Sequence, residues 1–594
     1  MDQRNLFIAI GVSLLILLGS QTLMQELYPP PPPGADVTQT QDGQAAGPGA
    51  PSAPSTVPQA PGGTAPAVAP AVQRAQKLQE APRVAIETAR LSGSIALRGG
   101  RIDDLVMRDY RVAVEKDSAN VVLLSPSGTQ HGFYAQFGWV AGSTGTPVPN
   151  DDTIWASSGG KLTPDTPVTL TWDNGEGLLF SREIAVDRNY MFTVTDKAEA
   201  TGTTAASLYP YGLIGRDGTP ATSGFFILHE GPIAVFNETL EEFDYDDLQD
   251  SGTINYESTG GWLGITDKYW LAALIPDQNA QFKARLLHSM VEGRDKYQTD
   301  FLSNNALAVA PGQPAEVTTR LFAGAKEVNL LDGYQEDLGV PLFDRAVDFG
   351  WFYFLTKPLF YVLDWLYGIV GNFGIAILIV TLAIKIVFFP LANKSYKAMS
   401  RMKLLQPKMQ ELKEKYGDDR QKFQQEMMAM YKREKINPAA GCIPILIQIP
   451  VFFALYKVLF VSIEMRHAPF FGWIQDLSAP DPTNVFELFG LIPWNTPDFL
   501  HFGVWPLIMG ATMFLQQRLN PQPTDPIQAR MFQFMPIIFT IFLAGFPAGL
   551  VIYWAWNNSL SILQQWIIMR RDRRADKEKK AAARVSLGKA KKDS

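Results

Sequence analysis

The chain has 594 residues, 46% of them hydrophobic, and 52 Lys and Arg stand against 59 Asp and Glu for a formal net charge of -7. Its one cysteine, Cys442, excludes a disulfide framework, so any region outside the cytoplasm has to fold on its own apolar core. The acidic balance argues against a uniform nucleic-acid binder, but acidic and basic residues are segregated along the chain, and that segregation sets the topology.

Residues 6–24 form an almost uncharged apolar run of bilayer length. Asp2 and Arg4 are a weak start for a signal peptide and residues 21–28 offer no small-x-small cleavage site, so 1–28 reads as an uncleaved transmembrane anchor. Residues 29–82 are rich in Pro, Ala, Gly, Gln and Thr. Such a composition cannot bury enough apolar surface to offset chain entropy, which predicts a disordered periplasmic linker.

Across 83–335 the pattern changes to short runs of period two bounded by Gly, Pro, Asn and Asp. Val168, Leu170 and Trp172 alternate with Thr169 and Thr171, after which Asn174-Gly175 predicts a tight hairpin turn. Tyr190, Phe192 and Val194 alternate with Met191, Thr193 and Thr195 in the same way. The expectation is one large antiparallel β-sandwich.

Residues 341–369 are aromatic-rich with a few polar positions, the pattern of an amphipathic helix lying in the membrane interface. A five-span core follows over 370–568, with spans near 371–389, 441–461, 503–517, 531–545 and 549–568, the last two hinged at Phe546-Pro547-Ala548-Gly549. Pro444, Pro450 and Pro536 are tolerated where neighbouring helices satisfy the freed carbonyls. Between the first two of these spans, 391–438 reads as a cytoplasmic helical hairpin: a first helix to Tyr416 with a break at Pro407, Gly417 as its C-cap, and Asp418 capping the second. Residues 569–594 are a basic tail. The fold class is therefore a polytopic α-helical membrane protein, an N-terminal anchor plus a five-span bundle, carrying a large periplasmic all-β sandwich.

Orientation follows from the positive-inside rule. Residues 394–435 hold 12 Lys and Arg and the tail holds 11, whereas 462–502 holds Arg466 alone against Glu464, Asp476, Asp481, Glu487 and Asp498. Both basic segments are expected in the cytoplasm, with the acidic loop and the sandwich outside, giving six spans with both termini inside.

Lys385 is read as the sole full charge within the core spans, at a cost of about 2.5 to 3.5 kcal/mol if it faced hydrocarbon. Two readings stand: it snorkels to the nearby interface, or it lines a water-filled cavity. Thr381, four residues earlier, shares its helical face. Gln448, Thr540, Tyr553, Asn557 and Asn558 are polar groups on other spans, suited either to interhelical hydrogen bonding or, with Lys385, to a hydrated groove. Met399, Met402, Met409, Met427, Met428 and Met430 give the hairpin a soft apolar seam, either its own core or a plastic surface for hydrophobic segments. The basic tail suits acidic lipid and ribosomal RNA equally. No phosphate-binding loop, H-E-x-x-H or G-x-S-x-G occurs, and His131, His229 and His288 lack metal-ligand spacing. No enzyme, catalytic residue, metal or cofactor is expected.

At Gly371-Asn372-Phe373-Gly374, Leu405-Gln406-Pro407-Lys408, Asn437-Pro438, Gly441-Cys442-Ile443-Pro444, Gln448-Ile449-Pro450, Phe534-Met535-Pro536 and Phe546-Pro547-Ala548-Gly549-Leu550-Val551-Ile552-Tyr553-Trp554, the chain resembles the YidC/Oxa/Alb family of membrane protein insertases. The likeness is close over 352–570, and the anchor, linker and sandwich, with Gly260-Gly261-Trp262-Leu263, resemble the Gram-negative form more loosely. The resemblance implies an inner-membrane insertase and chaperone whose five spans surround a hydrophilic groove open to the cytoplasm and lipid, working alone or with the Sec translocon. It implies as partners nascent membrane proteins, the Sec translocon and its accessory subunits, the ribosome through the basic loop and tail, and membrane lipids. Lys385, Thr381, Gln448, Tyr553, Trp554 and Asn557 are the candidate groove residues. Lys385 stands where the family usually has arginine, so point-charge attraction replaces bidentate pairing, and residues 485–506 form an external link longer than the family's usual one. The rival readings are a solute transporter or channel, since a lysine among polar groups would serve an anion equally, and a tethered sugar-active enzyme.

Overall fold

The computed structural model describes residues 70–590, apart from 144, 225–227, 418, 435–442, 488–491, 493–501 and 521–525. The anchor and nearly all of the linker expected from the sequence, and much of the 485–506 link, lie outside the described residues. The linker's last part departs from the expectation of disorder: Pro70–Lys77 is a helix, α1. Its Gln73 is buried and its Arg74 pairs with Asp104 of the sandwich, two anchors that composition alone does not reveal.

From Arg83 to Ala325 the chain builds two packed antiparallel sheets of ten and nine strands. The alternation seen in sequence is the alternation of burial. In Val168–Asp173, Val168 and Leu170 are buried and the threonines between them half-buried, because successive side chains of a strand point to opposite faces. That strand pairs with Leu178–Val186 so that Trp172 faces Phe180. The connection is longer than a two-residue turn: it takes residues 174–177, and Gly175 and Gly177 both adopt positive φ. Gly261, at φ +98°, is required, since a Cβ there would lie 2.0 Å from the Val235 carbonyl oxygen. The following Trp262 is fully buried and donates from its indole to the Pro341 carbonyl at 3.1 Å, so the chain leaving the sandwich is fastened back to its core.

The short helix Tyr245–Ser251 (α2) lies between strands, and Val328–Leu338 (α3) ends the sandwich. The rest is helical: Tyr353–Val370 (α4), Phe373–Val387 (α5), Phe389–Tyr416 (α6), Arg420–Arg433 (α7), Ile443–Val461 (α8), Val504–Leu519 (α9), Pro526–Leu543 (α10) and Ala548–Ala590 (α11). Helix α6 runs through Pro407 without a break, and α7 is capped by Asp419, whose carboxylate accepts from the Lys422 amide at 3.0 Å; the expected cap, Asp418, lies outside the described residues. The turn between α10 and α11 falls at the expected Phe546-Pro547 hinge. Helix α11 continues through most of the basic tail instead of stopping near 568. Among the described residues no single helix is long and apolar enough to cross a membrane; the pair α5 and α6 passes that test together, bent by 67°.

Sandwich and helices meet around the C-terminal end of α8. Lys457 donates to the Asp348 carboxylate at 2.8 Å, Arg466 donates to the Arg111 carbonyl at 2.6 Å, and the Lys268 ammonium sits 3.7 Å over the Phe460 ring. Glu464 accepts the Val328 amide proton at 2.9 Å at the start of α3, where unpaired helix N–H groups attract a carboxylate. Its other oxygen is buried without a partner among the described residues, and burial pushes this carboxyl up to about 8. Burial likewise pushes the ammonium of Lys268, and that of the fully buried Lys326, down to about 8.

Candidate functional site

Helix α5 begins where Asn372 caps it, its side chain accepting from the Ile375 amide at 3.0 Å and donating to the Phe470 carbonyl at 3.2 Å. After Phe373 and Gly374 its body is Ile, Leu, Val and Ala, broken only by Thr381, until Lys385, two residues before its end. Pro390, in the first turn of α6, has no amide proton and starts the next helix on a new axis. The bend therefore places Lys385 at a corner, with α6 folded alongside.

A cleft of about 120 Å³ lies at this corner. It is lined by Thr381 and Lys385 of α5, by Ser395, Tyr396 and Met399 of α6, and by Gln448 of α8. Gln516 of α9 and Asn520 just beyond it close one side, and Tyr553, Asn557, Ser561 and Gln564 of α11 form another. Among the described residues, Lys385 is the only full charge in this lining, and none of them contributes a carboxylate to it. Its ammonium donates to the Ser561 hydroxyl at 2.7 Å; Ser561 in turn donates to the Asn557 carbonyl at 2.8 Å. The Gln564 amide donates to the backbone carbonyl of Lys385 at 3.1 Å. An ammonium has three donors, and one of them is accounted for by Ser561.

Five of the six candidate residues thus meet in one cleft: Lys385, Thr381, Gln448, Tyr553 and Asn557. The sixth, Trp554, does not. Its ring packs against Phe452 at 4.7 Å and Phe539 at 5.8 Å, because one residue along a helix is about 100° around it from Tyr553. Of the other polar groups, Asn558 donates to Thr512 at 3.4 Å, an α11–α9 bridge, and Thr540 back-bonds to the Pro536 carbonyl at 2.7 Å. Only the Asn558 bond is interhelical; the Thr540 bond stays within its own helix.

Sequence reasoning overlooked Lys457 of α8, a second cation within the expected spans. It is neutralised by Asp348 at 2.8 Å, whereas Lys385 has no acid among the described residues of its cleft. Ser561 and Gln564 were also missed. The available signal was their spacing from Tyr553, eight and eleven residues, which returns to the same helical face.

The comparisons with known proteins follow this division. The family model for the YidC periplasmic domain matches residues 83–362, and that for the 60Kd inner membrane protein matches residues 365–577. A membrane protein insertase YidC of Methylobacterium radiotolerans is 51% identical, over 96% of this chain and 95% of its own. One of Granulibacter bethesdensis is 52% identical, over 96% of this chain and 98% of its own. Among solved structures, an active YidC insertase with its first transmembrane domain resolved aligns over 83% of this chain and 96% of its own, at 18% identity and a TM-score of 0.34.

Proposed function

Because the chain belongs to the YidC family of membrane protein insertases, as an inner-membrane protein with a periplasmic domain, we propose that the Lys385 cleft receives the polar tail of an incoming membrane protein. The observation that carries this reading is the lone cation: a lysine among neutral hydrogen-bonding groups, with no carboxylate among the described residues of the lining. A resident acid would neutralise it; without one, its charge is open to carboxylates on a client.

The mechanism needs no fuel molecule. A polar cleft shortens the hydrocarbon path and solvates the client's polar tail, while the client's own apolar segment partitions into lipid. At roughly -0.3 to -0.6 kcal/mol for each strongly apolar residue, a ~20-residue segment gains several kcal/mol, enough to offset carrying a short, weakly charged tail across. Lys385 contributes attraction without bidentate geometry, so it favours acidic tails without demanding a particular sequence.

The remaining assignments rest on the same reading. Residues 1–28 anchor the chain, 29–82 tether it, 83–335 form the periplasmic sandwich, 341–369 lie at the interface, and 370–568 span five times around the hairpin 391–438, with both termini cytoplasmic. The groove is then open to the cytoplasm and lipid, beside the basic hairpin and tail at 569–594. Those basic segments suit the ribosome and acidic lipids, and the family's work on membrane proteins suits partnership with the Sec translocon and help in folding released spans.

The test is insertion of a small one- or two-span protein into liposomes holding only this purified chain, scored by protease protection of the translocated tail. Protection above protein-free liposomes supports autonomous insertion. A folded sample that gives none, yet conducts small anions, would replace this reading with the channel one.

A further inference from the structure

Helix α11 holds Lys385 at two points. Ser561 accepts from its ammonium at 2.7 Å, and Gln564, three residues on and so on the same helical face, donates to its backbone carbonyl at 3.1 Å. That carbonyl lies in the last turn of α5, where the chain bends by 67° and carbonyls lose their intrahelical partners. Ser561 is buried and is itself fixed through the Asn557 carbonyl at 2.8 Å. From α6, Tyr396 lines the same cleft as Ser561. A lysine side chain has four rotatable carbons and no intrinsic direction; left alone beside a membrane boundary, it would snorkel towards water.

We propose that Ser561, backed by Gln564, is a positioning residue that turns the Lys385 ammonium into the cleft and holds it there for acidic groups of a client. The inference rests on the cleft reading given above. Ser561 takes up one of the three ammonium protons, and the charge itself stays available to attract a carboxylate. Its hydroxyl is neutral, so it orients the charge without cancelling it. An aspartate at the same place would also orient the ammonium, but would remove the attraction. The choice of a hydroxyl is thus the feature that keeps Lys385 both fixed and available.

The experiment uses the full chain in liposomes and two single-span clients that differ only in the translocated tail, one neutral and one carrying two aspartates. The quantity read is the ratio of acidic-tail to neutral-tail insertion. For Ser561→Ala the ratio is expected to fall roughly fivefold to tenfold, the effect of losing a hydrogen bond to a charged group. Ser561→Thr, which keeps the hydroxyl, is expected to hold the wild-type ratio, and Gln564→Leu to lower it less than Ser561→Ala does. Raising salt should narrow the difference between wild type and Ser561→Ala, because the attraction being oriented is electrostatic. Lys385→Gln separates the two levels of the argument. If Lys385→Gln lowers the ratio and Ser561→Ala does not, the positioning role is overturned and the cleft reading stands. If Lys385→Gln leaves the ratio unchanged, the cleft reading itself fails. Equal loss for both clients in Ser561→Ala, with Ser561→Thr no better, would mean that Ser561 only packs the helices together.

Discussion

Two cations removed from bulk water, one in the sandwich and one in the bundle, are treated in opposite ways. Arg182 is fully buried and held at all three guanidinium nitrogens: it donates to Asp196 at 2.7 Å, to the Gly100 carbonyl at 3.0 Å and to the Phe137 carbonyl at 2.7 Å, under the Trp155 ring. Asp196 lies directly across the strand pair from it. Lys385 has one neutral hydroxyl and, among the described residues, no acid in its cleft. Lys326, fully buried in the sandwich, also bonds a single hydroxyl, that of Thr266 at 2.9 Å, but it sits in the field of Asp348, Asp267, Glu230 and Glu242. Buried charge serves structure when its partners are built into the fold, and remains available for binding when they are not.

Removing one member of the Arg182 and Asp196 pair is expected to give the largest effect. Arg182→Ala leaves Asp196 buried and unpaired, which should cost about 3 to 5 kcal/mol and appear as a large fall in the thermal midpoint of the full chain in detergent. Arg182→Met with Asp196→Leu should recover most of that loss, since the charge to be compensated is gone. If the single variant unfolds at the wild-type temperature, the contrast between the two cations collapses.

The next effect concerns the seam between sandwich and helices. Glu464 has a folded value near 8 against an ordinary 4.5. A group whose value is raised by folding contributes stability that is complete below its unfolded value and lost as pH rises through its folded one. The junction is therefore expected to weaken between about pH 4.5 and 8, by roughly 1 to 3 kcal/mol after relaxation. Lys268 and Lys326, depressed to about 8 from 10.5, act in the opposite sense above that window. Hydrogen exchange at the start of α3, followed against pH, reads this directly, and Glu464→Gln should flatten the slope. A slope that persists in Glu464→Gln would assign it to another group.

The smallest effect on stability should come with a clear effect on function. Lys385→Gln removes a charge without orphaning a partner, so the thermal midpoint should stay within about 0.5 kcal/mol of wild type. Insertion of an acidic-tailed client should nonetheless fall about tenfold, the equivalent of one charge-assisted contact. Lys385→Glu should penalise acidic tails more than neutral ones. A large loss of stability in either variant would make Lys385 a structural cation like Arg182.

Much of this contrast was legible in the sequence. Strict alternation at Val168, Leu170 and Trp172 marks strands because one face is buried, and Lys385 stands out because its neighbours are uniformly apolar. The pairing of Arg182 with Asp196 was not legible: both are ordinary strand residues, and only the register brings them opposite one another. Ser561 and Gln564 were hidden for a similar reason, being common polar residues on a helix that reads as apolar on average. Lys457 was lost in an apolar run whose acidic partner is more than a hundred residues upstream, at Asp348. Trp554 entered the candidate set through the family resemblance, and helical geometry sends it to a different face from Tyr553.

Helix α11 is 43 residues long, about 65 Å at 1.5 Å per residue, roughly twice the ~30 Å of a hydrocarbon core. No glycine or proline interrupts it between Leu550 and Leu587. Ser561 and the arginines from Arg570 onward therefore ride on one stiff rod, with about 14 Å of helix between them. A force or a torque applied to the basic end reaches the ammonium's hydroxyl support without a joint to absorb it, so whatever grips the tail also has leverage on the charge in the cleft.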